Sequence, residues 1–334
     1  MMKLPELKEQ ILASLQTAGS IGIMSHINPD GDGFCASLAL QQLLRIWAYD
    51  SEIVTDPGNF SNYEHLMEGA RLRLYDPLLI YDLLFTLDCN SLDRVGERAS
   101  LIDKARIRIL IDHHEVEHRL IKADVSYIDT GFVSAGAIIF RCFQDEITKL
   151  DEALRLPVLN CLYTTILNDT NNFANANTNA EVYRAAADMA ALGINPSRLY
   201  KQYFLNQSAE EMRYTGEVLS TIELHLNRRL LMMHSTLQML NSNHLDADAV
   251  MNITRWVQGV KGIDAIVYLR EEEPGLYKLS LRSVNLDVNK IANLYGGGGH
   301  RSASGAHVKG SLDSIKHDLI SLFDSALKDY DAGF

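Results

Sequence analysis

The segment "SHINPDGDG" places one imidazole and two carboxylates, His26, Asp30 and Asp32, directly after the short apolar run "IGIM". The same residue types recur where other ordered segments end. They are Asp88 after "LLFTL", Asp112, His113 and His114 at the end of "RIRILIDHH", and Asp169 at the end of a helical stretch. Imidazoles and carboxylates without a thiolate suit divalent ions such as Mn²⁺ or Mg²⁺ better than a structural zinc.

Continuous apolar runs alternate with helical patterns through the first part of the chain, as in "IGIM" followed by "GFCASLALQQLLRIW". This alternation predicts an α/β fold with a mostly parallel sheet flanked by helices. The carboxyl ends of parallel strands meet at one edge of the sheet, where ligands bind. We therefore expect the acidic and imidazole residues to converge at that edge, although they are far apart in sequence.

Several carboxylates in one place repel each other unless cations neutralise them. Two ions need a shared carboxylate, and Asp88 at the end of a central strand is the candidate. Such pairs, about 3.5–4 Å apart, activate water and stabilise in-line phosphoryl displacement. Taken singly, "NPDG" is a common turn and Asp169 could merely end a helix. Their joint placement favours a metal centre, and Gly31 and Gly33 fit a tight turn beneath ligands.

The second part of the chain changes character. The strands "RRLLMMHS", "DAIVYLREEEPGLYKLSLRSV" and "AHVKG" predict a second, smaller α/β domain with a mixed sheet, across a cleft from the first. We expect a catalytic domain over 1–194, a helical linker over 195–215 and a substrate-binding domain over 216–334. Further helices are predicted in "DADAVMNITRWV" and "SLDSIKHDLISLFDSALKD".

Two capping boxes predict where helices begin. Thr178 with Glu181 opens one helix, and Ser208 with Glu211 opens a second that runs toward Leu224.

Composition excludes several classes of protein. The 334 residues carry a formal net charge of −12, which argues against a long nucleic-acid footprint but not against a small anionic ligand. No apolar run is long enough to span a membrane. The four cysteines form no zinc spacing and lie in apolar segments, so we expect buried, reduced thiols and a cytoplasmic location. They are Cys35, Cys89, Cys142 and Cys161.

Five segments together resemble the motifs of the DHH phosphoesterase superfamily and its glycine-rich companion domain. They are "SHINPDGDG", "LDCN", "IDHHEVEH", "LYTTILNDTNNF" and, far downstream, "LYGGGGHRSASGAHV". The resemblance spans nearly the whole chain and is strongest to the stand-alone branch of oligoribonucleases and 3′-phosphoadenosine 5′-phosphate (pAp) phosphatases. It implies a manganese-dependent phosphoesterase that hydrolyses short oligoribonucleotides, pAp or both.

The resemblance also implies roles for single residues around two divalent ions, Mn²⁺ first, with Mg²⁺ or Co²⁺ as alternatives. The ligands are His26 and Asp30 for the first ion, Asp32, His113 and Asp169 for the second, and Asp88 as the bridge. His114 would face the scissile phosphate as a general acid or a stabilising cation, and Asp112 would orient an imidazole. Two residues depart from the family pattern, Asn171 where glycine is frequent and Phe34 where a small residue is frequent, and both bear on substrate preference.

In the second domain, consecutive glycine amides can cradle a phosphate and an arginine can fork onto one. The predicted substrate-binding residues are Arg282, Ser283, Asn285, Gly297, Gly298, Gly299 and His300. The alternative is a glycine-rich turn packed against a strand, with Arg282 on the surface. The aromatic segments "YKQYF" and "EMRY" are interpreted as core or linker packing.

Other functions are also compatible with the sequence. A cyclic di-AMP or linear dinucleotide phosphodiesterase would use the same chemistry in a different pocket. A manganese pyrophosphatase shares the first-domain motifs but not the "GGGGH" segment. An inactive nucleotide sensor would be expected to lack a ligand, whereas every expected ligand is present. The expected partners are short oligonucleotides or nucleotides, without long nucleic acid or membrane, and a homodimer is compatible with the resemblance.

Overall fold

The chain forms two compact units in a computed structural model that describes residues 2–58, 60–116, 119–245 and 253–333. The units are Met1–Asn206 and Gln207–Phe334. Their boundary falls inside the predicted linker 195–215. That segment contains the helix Pro196–Phe204 and the start of the helix Ala209–Ser220, and these two helices belong to different units.

The first unit contains one six-stranded sheet in the order β3-β2-β1-β4-β5-β6, and every pair of neighbouring strands is parallel. The strands are β1 (Ile21–Met24), β2 (Glu52–Thr55), β3 (Leu72–Leu74), β4 (Leu83–Leu87), β5 (Ile107–Asp112) and β6 (Val125–Ile128). The chain proceeds outward from β1 in one direction and from β4 in the other. The strand order therefore reverses between β1 and β4, the place where parallel α/β sheets bind ligands.

Helices cover both faces of this sheet. They are α1 (Leu4–Leu15), α2 (Gly31–Ile46), α3 (Leu92–Val95), α4 (Ala99–Lys104), α5 (Ala135–Lys149), α6 (Glu152–Asp169), α7 (Ala180–Ala191) and α8 (Pro196–Phe204), with 3₁₀ helices at Ser61–Leu66 and Gly96–Arg98. Ile23 and Phe85 pack in the core with α2, α5 and α6, whereas Met24 and Leu84 pack in the core with α3 and α4. Because both faces are buried, the strands are continuously apolar, and the predicted fold class is confirmed.

The second unit has a mixed sheet in the order β11-β12-β10-β9-β8-β7, with β8 and β9 parallel and the other pairs antiparallel. Its strands are β7 (Glu223–His225), β8 (Leu230–Ser235), β9 (Ala265–Glu273), β10 (Leu276–Ser283), β11 (Gly298–His300) and β12 (Ala303–Lys309). Its helices are α9 (Ala209–Ser220), α10 (Leu237–Ser242), α11 (Val288–Leu294) and α12 (Leu312–Ala332), with a 3₁₀ helix at Ile253–Trp256. The predicted mixed sheet is confirmed.

Helices α7 and α9 begin and end partly where the sequence predicts. The capping box of Ser208 and Glu211 is confirmed, but its helix α9 ends at Ser220 because Leu224 pairs with Leu231 in the sheet. The prediction that Thr178 caps α7 is wrong by one residue. The side chain of Asn179 caps this helix, because it accepts hydrogen bonds from the first backbone N–H groups of α7. Most of the helix predicted in "DADAVMNITRWV" lies outside the described residues.

The four cysteines all lie within the described part of the chain, where they are buried and form no disulfide, as predicted. Within the same ranges, no helix combines the length and apolarity that crossing a bilayer requires.

Candidate metal centre

The eight acidic and imidazole residues predicted in the first domain do converge, at the carboxyl ends of β1, β4 and β5. The first turn of α2 and the last turn of α6 complete the site. Their side chains form three overlapping groups in which the ligand atoms lie within 4.8 Å of one another. The groups are His26, Asp30 and Asp88; Asp32, His113 and Asp169; and Asp88, Asp112, His113 and His114.

His26 presents one ring nitrogen to the site. Its Nδ1 donates to the carbonyl of Ile27 at 2.8 Å, which leaves Nε2 facing Asp88 Oδ2 at 3.6 Å and Asp30 Oδ1 at 3.9 Å. Burial alone would lower the pKa of His26, but the carboxylates of Asp30 and Asp88 outweigh it and raise that pKa to about 9. A backbone contact that fixes the ring in this way is usual for a metal-binding histidine.

Asp30 is the N-cap of α2. Its Oδ1 accepts from the backbone N–H of Asp32 at 3.0 Å and of Gly33 at 3.3 Å, so helix formation fixes the carboxylate beside His26. The interpretation of Gly31 and Gly33 as tight-turn residues is wrong, because both lie in the first helical turn and neither has a positive φ. Gly33 is needed for space, since a Cβ there would lie 3.0 Å from Ser25 and 3.2 Å from Asp88 Oδ2.

Asp32 is fully buried at the N-terminus of α5. Its two oxygens accept from the backbone N–H of Ala135 at 2.6 Å and of Gly136 at 3.1 Å, where the helix dipole also favours an anion. Burial, together with the charges of Asp88 and Asp169, nevertheless raises the pKa of Asp32 well above its usual value. The role of these two amides was not predicted from the sequence, although the small residues of "SAGA", which open a helix after a strand, indicate such an N-terminus.

Asp88 lies between the first two groups. Its Oδ2 faces His26 Nε2 at 3.6 Å, and its Oδ1 faces His113 Nε2 at 3.2 Å. The residue follows β4 with a φ of 57°, a left-handed conformation that a non-glycine residue adopts at a cost and that is often found at functional sites. Burial would raise the pKa of Asp88, but His113 and His26 hold it below the usual range. This is the placement expected of a shared ligand.

His113 points into the second group. Its Nε2 lies 3.2 Å from Asp169 Oδ2 and 3.5 Å from Asp32 Oδ2. Burial would lower the pKa of His113, but Asp169 and Asp88 raise it to about 11. Burial raises the pKa of Asp169 to about 6 against the opposing effect of His113.

His114 is held differently from His113. Asp112, which is fully buried, contacts the ring Nδ1 of His114 at 2.8 Å through Oδ1. The same oxygen accepts the backbone N–H groups of both histidines, at 2.8 and 3.2 Å. The geometry fits the predicted role of Asp112 in orienting an imidazole. The His114 side chain is 29% exposed, against 13% for His113, so His114 faces outward more than its neighbour.

The site fits divalent cations by its own chemistry. Within the described ranges, several buried polar atoms here have no hydrogen-bond partner. They are His26 Nε2, Asp88 Oδ1, Asp112 Oδ2 and His113 Nε2. A buried polar atom without a partner is costly, and five carboxylates in one place add mutual repulsion. Cations coordinated by these nitrogen and oxygen atoms would remove both costs.

The two departures from the family pattern have structural explanations. Phe34 is 1% exposed and stacks on Phe60 with ring centroids 4.4 Å apart, so it belongs to the core. Asn171 has a φ of 46°, and after glycine, asparagine is the residue that best tolerates this left-handed region.

The predicted residues of the second unit divide into two kinds. Ser283 Oγ donates to the carbonyl of Asp264 at 2.6 Å, and the Asn285 amide donates to Asp264 Oδ1 at 2.8 Å, so both are used inside the fold. Arg282 Nη1 donates to the carbonyl of Leu281 at 2.9 Å, and burial lowers the Arg282 pKa. Among the described residues, no carboxylate forms an ion pair with Arg282.

The glycine-rich segment is an edge strand rather than an open loop, because Gly298–His300 pairs with β12. A Cβ at Gly297 or Gly299 would collide with backbone atoms of β12, so strand packing alone requires these two glycines. A Cβ at Gly298 would lie 3.9 Å from Asn293 Oδ1 and no nearer to any other described atom, so Gly298 stays a candidate for ligand approach. The side chain of His300 lies outside the described part of the structure.

The parallel sheet therefore carries, at its switch point, an imidazole–carboxylate cluster that could hold metal ions. The chain matches the DHH family, N-terminal domain, over residues 20–166 and the DHHA1 domain over residues 234–329. It therefore contains the DHH and DHHA1 domains of a DHH-family phosphoesterase.

Proteins from several organisms are similar to this chain over most of its length. A bifunctional oligoribonuclease and PAP phosphatase NrnA from Thermus thermophilus is 29% identical over 87% of this chain and 85% of its own length. A probable bifunctional oligoribonuclease and PAP phosphatase NrnA from Streptococcus mutans is 26% identical over 89% and 92%. The crystal structure of an exopolyphosphatase-related protein from Bacteroides fragilis has a TM-score of 0.84 at 22% identity, covering 97% of this chain and 96% of that one, and it supports the fold.

Proposed function

We propose that this protein hydrolyses short oligoribonucleotides and pAp with two Mn²⁺ ions that share Asp88. The observation that carries the proposal is the position of the Asp88 carboxylate, which presents one oxygen to His26 and the other to His113. The names of the two bacterial relatives support the substrate class. The buried thiols fit a reducing compartment such as the cytoplasm.

Each ion takes ligands from one of the two groups that flank Asp88. His26 and Asp30 would hold the first ion, Asp32, His113 and Asp169 would hold the second, and Asp88 would be a ligand of both. When bound, the ions supply an activated water and neutralise charge on the phosphoryl group. Mn²⁺ suits this mixture of imidazole and carboxylate, with Mg²⁺ and Co²⁺ as alternatives.

His114 acts on the leaving group. Its Nδ1 is engaged by Asp112, so the proton available for transfer is the one on Nε2. A general acid in this position donates that proton to the oxygen that leaves the phosphorus. Asp112 fixes the ring orientation through this contact.

His113→Ala and His114→Ala should fail in different ways. We expect His113→Ala to lose Mn²⁺ from the second ion's position, because a ligand is removed. His114→Ala should retain its metal and lower kcat by about 10²–10⁴-fold, the range for loss of a general acid. Metal analysis beside steady-state kinetics on a dinucleotide measures both effects.

A substrate whose leaving group needs no proton, such as a nitrophenyl ester, serves as the control for this pair. The defect of His114→Ala should shrink on that ester, whereas the defect of His113→Ala should persist. Equal metal loss in both variants would contradict the two roles.

Binding of Mn²⁺ should release protons. Without metal, His26 and His113 have pKa values of about 9 and about 11, so both rings are charged at neutral pH. A ring nitrogen must lose its proton to coordinate a metal, so both rings should release protons on binding and Mn²⁺ affinity should rise as the pH increases from neutral. Calorimetric titrations in two buffers of different ionisation enthalpy measure the release. A binding heat that is independent of the buffer would oppose this assignment.

The second unit binds the part of the nucleotide that is not cleaved. Arg282 supports this role. Among the described residues, its guanidinium hydrogen-bonds only to a backbone carbonyl and has no carboxylate partner. It is therefore available to bind a phosphate. Gly298, where a Cβ would have no described neighbour nearer than 3.9 Å, can let a ligand approach the backbone. Together with His300 these residues form the proposed grip, while Ser283 and Asn285 hold the end of β10 in shape.

One panel of substrates tests the proposed function. Purified protein with Mn²⁺ should hydrolyse pAp and RNA dinucleotides to five-mers faster than cyclic di-AMP or pyrophosphate. Preference for the cyclic dinucleotide would move the protein to a different substrate within the same chemistry. Absence of turnover on the whole panel would contradict the proposal. Sedimentation of the same sample would show whether the protein forms a homodimer.

A further inference from the structure

A tyrosine in the connecting helix α8 reaches the candidate metal centre through one asparagine. The hydroxyl of Tyr203 lies 2.6 Å from Asn168 Oδ1, and Asn168 Nδ2 lies 2.7 Å from Asp169 Oδ1. The other oxygen of Asp169 faces His113 Nε2 at 3.2 Å. The three side chains therefore form a chain of hydrogen bonds that ends on one oxygen of Asp169 and leaves the other directed into the site.

The direction of these hydrogen bonds is fixed by chemistry. An ionised carboxylate can only accept, so Asn168 must turn its NH₂ group toward Asp169 and its carbonyl oxygen toward Tyr203. A tyrosine hydroxyl that meets a carbonyl oxygen must donate. Without this hydroxyl, the carbonyl oxygen of the Asn168 side chain would lose its hydrogen-bond donor. The amide could then flip and exchange the positions of its oxygen and nitrogen more easily.

Tyr203 is also packed against the other metal-binding segment. A Cβ at Gly31 would overlap the Tyr203 hydroxyl and would lie 2.8 Å from the Cβ of Asn168. Gly31 directly follows Asp30 and precedes Asp32. The Tyr203 hydroxyl thus lies where the first turn of α2 and the last turn of α6 approach each other, and this close approach explains a glycine whose φ does not require one.

The backbone of Asp169 is held by other groups. The side-chain amides of Asn175 and Asn177 donate to its carbonyl oxygen at 2.9 and 3.1 Å. Loss of the Tyr203 hydroxyl should therefore leave the end of α6 in place and affect the orientation of the Asp169 carboxylate.

We propose that Tyr203 and Asn168 are positioning residues that orient the Asp169 carboxylate for metal binding. The proposal rests on the proposed function, in which Asp169 is a ligand of the second ion. Hydrogen bonds to a metal ligand set its orientation, and removing such a partner typically weakens metal binding about 10–100-fold. Neither residue touches the reacting phosphate in this account.

The test compares Tyr203→Phe with Tyr200→Phe in a Mn²⁺ titration without substrate. Electron paramagnetic resonance monitors the binding of Mn²⁺. Both substitutions remove one hydroxyl from α8, but among the described residues only that of Tyr203 makes a hydrogen bond. Tyr203→Phe should weaken binding of one Mn²⁺ about 10–100-fold and lower kcat at limiting Mn²⁺ with little change in KM for substrate. Excess Mn²⁺ should restore most of kcat, and Tyr200→Phe should match the wild type.

Asn168→Ala should reproduce the defect, and the double variant should be no worse than Asn168→Ala alone, because the two residues act in series. Unchanged Mn²⁺ affinity in Tyr203→Phe, equal loss in Tyr200→Phe, or multiplied losses in the double variant would overturn the positioning role while leaving the proposed function standing. If the wild type itself binds no Mn²⁺, the proposed function fails, and the positioning role fails with it.

Discussion

Asp88→Asn should abolish turnover of pAp and dinucleotides. The substitution keeps the size of the side chain but removes the charge that faces both His26 and His113. An amide is a poor bridge between two cations, and metal activation contributes several kcal/mol to phosphoryl transfer. We therefore expect kcat to fall about 10³-fold or more. The measurement is steady-state kinetics in saturating Mn²⁺ with metal content determined on the same sample.

The matched control is Asp82→Asn, at the opposite end of the same strand. Asp82 accepts the backbone N–H of Gly19 at 2.8 Å and of Ser20 at 3.2 Å, so it shares the strand and the residue type but not the site. Its activity should stay within about twofold of the wild type, as for most substitutions away from a functional site. Both variants should remain folded by circular dichroism. An Asp88→Asn protein with wild-type turnover would contradict the role of this carboxylate.

Arg282→Ala should cripple the cleavage of pAp and dinucleotides without affecting the metal. Binding of a remote phosphate orients the reacting one, so its loss lowers kcat/KM. A charged hydrogen bond contributes about 1.5–3 kcal/mol, which corresponds to a loss of roughly ten- to a hundredfold per contact. Kinetics on pAp, on a dinucleotide and on a small chromogenic phosphodiester with a single phosphate measure the effect.

Two variants separate charge, shape and general destabilisation. Arg282→Lys keeps the charge and loses the planar fork, so it should show an intermediate defect. Arg213→Ala removes an exposed guanidinium from α9 of the same unit and should behave as the wild type. Mn²⁺ affinity should be unchanged in all three variants. If Arg282→Ala slowed the single-phosphate ester as much as the dinucleotide, Arg282 would act at the catalytic centre or in folding, and the proposed division of labour would be wrong.

The sequence was sufficient to predict where the acidic and imidazole side chains converge. Each of these side chains follows a recognisable strand or helix, and the parallel order of β1, β4 and β5 brings these ends to one edge. The short edge strands β3 and β6 were not predicted. All three residues of β3 are exposed, so this strand lacks the apolar burial that marks the central ones.

Contacts between distant segments could not be predicted in the same way. The amides that hold Asp32 come from α5, and the hydroxyl that reaches Asn168 comes from α8. Nothing in the local sequence of "YKQYF" distinguishes the tyrosine at 203 from the one at 200. The glycines at 297 and 299 are likewise required for close packing against β12, and this packing depends on the tertiary fold.

In the proposed function, two metal ions share Asp88. Electron paramagnetic resonance during a Mn²⁺ titration tests it most directly, because two ions about 3.5–4 Å apart interact magnetically. The wild type should bind two Mn²⁺ per chain and show the signal of a coupled pair, and Asp88→Asn should lose that signal. A single uncoupled Mn²⁺ in the wild type, or a coupled pair that persists in Asp88→Asn, would contradict the shared-ligand centre.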